Sequence, residues 1–292
     1  MAFAGAIVIG LAPVSAKELK VISDQSVTGF GHVESVGCDA KGKALYASDF
    51  GPDLKPADKD GKGKISKLSL DGKIVEAAFF PPAGTTMNKP KGSWISGTNM
   101  WVTDIDGVWQ INLKTKQGKK LDLPGVVFAN DPAVVGNTLY VTDNRGDKVV
   151  SVTPANFLTA KAAPKIAEIY AGKGINPNGI YPGKGGTLLL VGFKSKDEPR
   201  GIYSFKPGQE PKLISKPLGT LDGVYQMRNG DLLATDWVTG SLFQWNEKMG
   251  MKILAKDFKG PADFCVIPNK QGLLVALPDL VQKNIRIIQL GN

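Results

Sequence analysis

One unit of sequence recurs six times along this chain, and a repeat of that length restricts the fold more than any other feature. The copies run Glu34–Asp49, Lys91–Asp104, Asn130–Asp143, Asn178–Val191, Asp222–Asp236 and Asp263–Ala276. Each opens on a polar residue, continues through an apolar stretch and a Gly/Asp/Asn turn, and enters a strand that often ends in Asp. The mean step between starts is about 46 residues, within the range of propeller blades. A further alternating segment follows each copy: Lys64–Leu70, Gly107–Leu113, Lys148–Thr153, Gly201–Phe205, Ser241–Trp245 and Ile285–Leu290. Short segments such as Ile74–Phe80 and Lys165–Tyr170 supply outer strands. Three or four short strands per repeat predict an all-β fold, a six-bladed β-propeller with four-stranded blades around a central channel. The 35 glycines among 292 residues suit so many tight turns. A ring of blades must close, and Glu18–Ser23, left over before the first copy, is expected to pair with the last blade.

Residues 17–292 are therefore assigned to one propeller domain and residues 1–16 to a signal peptide. That apolar opening is short for a membrane span and ends in Val14-Ser15-Ala16, the small-x-small form of a cleavage site, although a basic n-region is missing. The expectation is export to the periplasm or secretion; the alternative is an apolar N-terminal segment. No later stretch reads as a transmembrane helix. In an oxidising compartment Cys38 and Cys265 could staple the first repeat to the last, or they could be two small buried hydrophobes. The net charge of +9 is spread over turn lysines and carries no nucleic-acid motif, so it indicates a solvated surface that steers small anionic molecules. A monomer or weak homodimer is expected.

The aspartates ending the second strands, Asp49, Asp104, Asp143 and Asp236, read as structural acceptors for turn N–H groups. Asp58-Lys59-Asp60-Gly61 resembles the start of an EF-hand loop without its later ligands, and reads as an exposed turn. His32 reads as packing at the entrance of the first blade. Phe50–Lys64, Phe193–Arg200 and Leu277–Lys283 are expected to shape the mouth of the channel.

The first strand of each blade lines the channel, so the repeat starts Glu34, Lys91, Asn130, Asn178, Asp222 and Asp263 should converge at one depth. Three carboxylates face one lysine, which is costly in a poorly solvated channel unless neutralised. A divalent cation would do this, and the hard oxygen donors suit Ca²⁺ first, then Mg²⁺ or Mn²⁺, with Zn²⁺ least favoured. The alternative is a water-filled channel with Lys91 paired to Asp263 or Glu34. No nucleophile elbow, zincin motif or P-loop is present.

Glu34 with its strand, Asn130-Asp131, Pro177-Asn178-Gly179 and Leu221-Asp222-Gly223 resemble the motifs of the regucalcin/gluconolactonase family (senescence marker protein, sugar lactone lactonase), in order and at blade spacing over residues 20–290. The resemblance implies Glu34, Asn178 and Asp222 as metal ligands, Asp222 also as general base, and Asn130 near metal and substrate. The chain departs from the family in reading Glu34-Ser35-Val36 where Glu-Gly-Pro is usual. Lys91 and Asp263 lie outside the general pattern, resemble a bacterial subgroup, and are assigned to substrate. The function implied is metal-dependent hydrolysis of a lactone or related cyclic ester by an activated water. The alternative is a non-catalytic, metal-containing propeller that binds a small ligand or protein partner; strictosidine-synthase-like chemistry fits the residue set less well.

Overall fold

Alternation of apolar and polar residues turns each repeat into an antiparallel sheet, with side chains of successive positions on opposite faces. In the computed structural model, residues 18–291 are described, and they form six four-stranded sheets in a ring. The innermost strands are Val33–Asp39, Pro90–Ser96, Ala129–Val135, Pro177–Pro182, Leu221–Gln226 and Cys265–Asn269, which define blades 1 to 6. The strand expected at the N-terminal edge runs Lys20–Val27 and pairs antiparallel with Asn284–Gly291, completing blade 6 with the start of the chain. The proposed signal segment lies outside the described residues. Among the described residues, no helix is long and apolar enough to cross a membrane.

Buried apolar residues fall into layers between neighbouring blades. Trp101, Val141, Val150 and Phe157 pack in the layer between blades 2 and 3, and Leu45, Leu68, Ile267 and Ile287 in that between blades 6 and 1. Cys38 and Cys265 are disulfide-bonded, with Cα atoms 5.6 Å apart, joining the first blade to the last.

Two recurrent polar residues lock adjacent blades. Thr142 Oγ1 donates to the Asn178 carbonyl at 2.6 Å and Thr235 Oγ1 to the Ala262 carbonyl at 3.2 Å, and Thr103 makes the equivalent bond to Asn130. The aspartate that follows each threonine clamps the connection entering the next innermost strand. Asp143 accepts from the N–H groups of Val127, Phe128 and Gly146, each at 2.9 Å. Asp49, Asp104 and Asp236 do the same in their blades, as their position in the repeat implied. Asp279 is a fifth member, accepting from Lys259 and Gly260.

The innermost strands share one distortion. Register breaks between Val33 and Ser35, Pro90 and Ser93, Ala129 and Pro132, Pro177 and Ile180, and Leu221 and Val224. Such a bulge frees a residue from the ladder and re-aims its side chain. In blades 1 to 5 the freed residue is the polar repeat start.

Candidate functional site

The bulges deliver Glu34, Lys91, Asn130, Asn178 and Asp222 to the entrance end of the channel, all buried. Asp263 departs from the expected single depth. Its backbone registers with Ser35, one residue further along blade 1, through a parallel bridge and an N–H bond to the Glu34 carbonyl of 3.1 Å. In blade 6 the strand slips by one residue between the pairs Pro261/Asp279 and Cys265/Ala276. Ala262, which accepts from Thr235 as Asn178 does from Thr142, holds the position of the other repeat starts. Asp263 therefore takes the second bulge position, deeper and only half-buried. Asp263 Oδ2 accepts from Ser35 Oγ at 2.9 Å.

The second bulge position brings in a residue that the repeat starts did not include. Asp131 is 2 % exposed and lies over Gly92 of blade 2, where a β-carbon would collide with its carboxylate. The ring thus holds four carboxylates, Glu34, Asp131, Asp222 and Asp263. Gly179 has an equivalent reason: a β-carbon there would strike the Asp222 carbonyl.

Lys91 does not neutralise this group by ion pairing. Among the described residues no ion pair joins it to a ring carboxylate; its Nζ lies 3.4 Å from the Lys89 carbonyl and 4.3 Å from the Phe128 ring centre. Arg145 covers the same ring, at 4.0 Å. Burial pulls the Lys91 ammonium down to about 8, and Glu34 and Asp104 oppose that fall. Lys89, fully buried, donates to the Phe50 carbonyl at 2.9 Å and to Asp60 at 2.7 Å. The EF-hand-like segment is therefore a turn held by an ammonium.

The carboxylates resist ionisation. Burial, then Asp263, pushes Asp222 up to about 8, opposed by the Trp237 and Asn178 side chains. Burial pushes Asp263 up to about 7 against the hydrogen bonds from Ser35 and the Phe264 backbone. Glu34 and Asp131 are raised well above the usual range, by burial first and then by their acidic neighbours.

Trp237 is the other residue that the repeats did not reveal. Its indole Nε1 donates to Asp222 Oδ2 at 2.8 Å, and its ring meets Phe193 edge-on at 5.5 Å. Asp222 Oδ1 and Glu34 Oε2 are buried, and among the described residues neither accepts a hydrogen bond. Two acceptor oxygens lacking donors, beside the Asn178 amide, fit a hard divalent cation. Among the described residues, no group of three or more His, Cys, Asp or Glu side chains could hold a metal. The Glu34–Asn178–Asp222 set contains two such groups and takes its third oxygen from an amide. His32 stays outside this chemistry, its Nδ1 2.8 Å from the Leu280 carbonyl.

No protein-family model and no curated protein matches this sequence. Solved structures resemble it in fold. A gluconolactonase from Xanthomonas campestris is 12% identical, with 93% of this chain and 91% of that one covered at a TM-score of 0.65. A virginiamycin B lyase from Staphylococcus aureus is 15% identical, covering 93% and 99%, at 0.62. A chain of a nidogen/laminin complex is 18% identical, covering 74% and 76%, at 0.56. These identities establish a shared propeller and nothing about chemistry.

Proposed function

We propose that this protein is a divalent-cation-dependent hydrolase of lactones or related cyclic esters, with the reaction at the channel entrance. The observation that carries the reading is the state of Asp222. One oxygen is held by Trp237, and the other is buried with no hydrogen-bond donor. A carboxylate fixed this way is oriented to take a proton.

Glu34, Asn178 and Asp222 would hold the cation, Ca²⁺ first among the candidates. When bound, it supplies Lewis-acid polarisation of the ester carbonyl and lowers the pKa of water. Asp222 removes a proton from the attacking water as the water oxygen bonds to the carbonyl carbon. The proton then passes to the ring oxygen as the acyl C–O bond breaks, leaving a hydroxy acid. The Asn130 amide orients the substrate, and the buried Lys91 ammonium attracts an anionic group on it. A gluconolactonase is among the proteins of like fold.

The test is turnover of a lactone panel by the wild-type protein and by Asp222→Ala, with and without EDTA. Loss of the general base should lower kcat by at least about 100-fold with the fold retained. EDTA should abolish wild-type turnover and added Ca²⁺ restore it. Absence of wild-type turnover on every lactone, with cation bound, would overturn the reading in favour of a non-catalytic binding propeller.

A further inference from the structure

Beyond the carboxylates, toward the far end of the channel, lies a cavity of about 150 Å³. Its walls follow the entrance residues by one to four positions along the innermost strands. They include Trp94 of blade 2, Tyr181 of blade 4, Tyr225 of blade 5 and the Cys38–Cys265 disulfide. Blade 3 lines the cavity with Asp131 and Pro132 and has the small, buried Ala133 where blades 2, 4 and 5 carry a ring, and Trp94 meets Tyr181 edge-on at 5.7 Å. Tyr181 meets Tyr225 at 5.1 Å. Three aromatic rings thus form one continuous arc of wall, each half-exposed to this space.

Asp131 and Asp263 also line the cavity. Asp131 is buried, and among the described residues its Oδ1 accepts no hydrogen bond. A packed propeller has no need for a carboxylate here, since Gly179 and Gly223 occupy the same bulge position in blades 4 and 5. The side chain is accommodated only because Gly92 has none. Aromatic walls around a space with a partnerless carboxyl group are the elements that bind an organic cation: the ring quadrupoles attract it, and its charge favours the ionised form of Asp131 that burial alone opposes. A benzene-sized guest fits a cavity of this volume. Arg228, which follows Tyr225 on the outer turn, acts electrostatically on its phenol. A positive head would therefore be drawn inward to Asp131 and away from the rim.

We propose that this far-end cavity is a binding site for a small organic ammonium ion, held between the Trp94–Tyr181–Tyr225 arc and the Asp131 carboxylate. It adjoins the entrance ring, sharing Asp131 and Asp263 with it, but uses none of Glu34, Asn178 and Asp222, and it stands whether or not the entrance is catalytic.

Titration calorimetry of the whole protein in EDTA, with tetramethylammonium and its uncharged analogue tert-butanol as probes, tests this. Tetramethylammonium should bind at least tenfold more tightly than tert-butanol. Trp94→Leu and Asp131→Asn should each weaken it tenfold or more, while Tyr181→Phe, which keeps the ring, should leave it within twofold. Circular dichroism on each variant separates loss of binding from loss of fold. Equal affinity for the two probes would overturn the proposal, as would unchanged binding in folded Trp94→Leu and Asp131→Asn. Tight binding of glucose in place of the cation would overturn it in favour of a sugar site.

Discussion

Asp222 and Trp237 illustrate how one contact sets the chemistry of a residue. A hydrogen bond to the charged form of an acid stabilises that form, so the indole opposes the upward push of burial on Asp222. Trp237→Phe keeps an aromatic ring against Phe193 and removes only the donor. A hydrogen bond to a charged group is worth about 1.5–3 kcal/mol, or roughly one to two pH units. The acidic limb of the kcat/KM profile for lactone hydrolysis should therefore move up by that amount, with the rate at high pH less affected. An unmoved limb would show that Trp237 does not tune Asp222. The sequence made Asp222 legible because it opens a repeat and is followed by Gly223. Trp237 was not legible, because it lies in the turn after Asp236 at a position that the other blades fill differently. Asp131 was visible next to Asn130, but its role depends on the bulge and on Gly92 of the neighbouring blade, which pattern alone does not pair.

At the scale of the element, the Thr-Asp pair of blades 2, 3 and 5 does two different jobs. The hydroxyl reaches across to the next blade, and the carboxylate clamps the connection that leads into it. In blade 3, Asp143→Ala would leave the buried Phe128 N–H and its neighbours at Val127 and Gly146 without their acceptor. An unsatisfied buried donor costs about 1–3 kcal/mol. With one buried and two part-buried donors involved, urea denaturation should show a loss of about 3 kcal/mol. Asp39→Ala, in an exposed turn where Asp39, among the described residues, accepts only from Gly42, should cost less than about 1 kcal/mol. Equal losses would refute the clamp. Strand positions were readable because alternation with period two is a local signal: Ile74–Phe80 forms as expected, and Lys148–Thr153 likewise. The depth of Asp263 was not readable. It is set by where blade 6 registers against blade 1, and that pairing joins Ser35 to a residue 228 positions away.

The whole molecule closes twice between its ends, through the Lys20–Val27 strand and through the Cys38–Cys265 bond. Closure holds blades 1 and 6 at fixed distance, and with them Glu34 and Asp263 on either side of the seam. Carboxylates from blades 1, 3, 5 and 6 are therefore forced together by the ring, and the fold opposes their ionisation. The consequence for stability has a definite sign. An unfolded Asp titrates near about 3.9, whereas Asp263 in the fold is at about 7 and Asp222 at about 8. Between those limits the folded protein holds protons that the unfolded chain has released, so stability falls as pH rises. The loss begins above about pH 4 and is complete only once pH has passed about 8. A cation bound among the same oxygens competes with those protons, and its stabilisation must grow over the same interval. Urea unfolding at pH 5 and pH 8, in EDTA and in millimolar Ca²⁺, checks both statements. The midpoint in EDTA should be lower at pH 8 than at pH 5, and Ca²⁺ should raise it more at pH 8. Asp222→Asn, which cannot ionise, should shrink the pH difference seen in EDTA. A cation-free protein as stable at pH 8 as at pH 5 would mean that water reaches these carboxylates freely, and the electrostatic case for a cation at the channel entrance would fail with it.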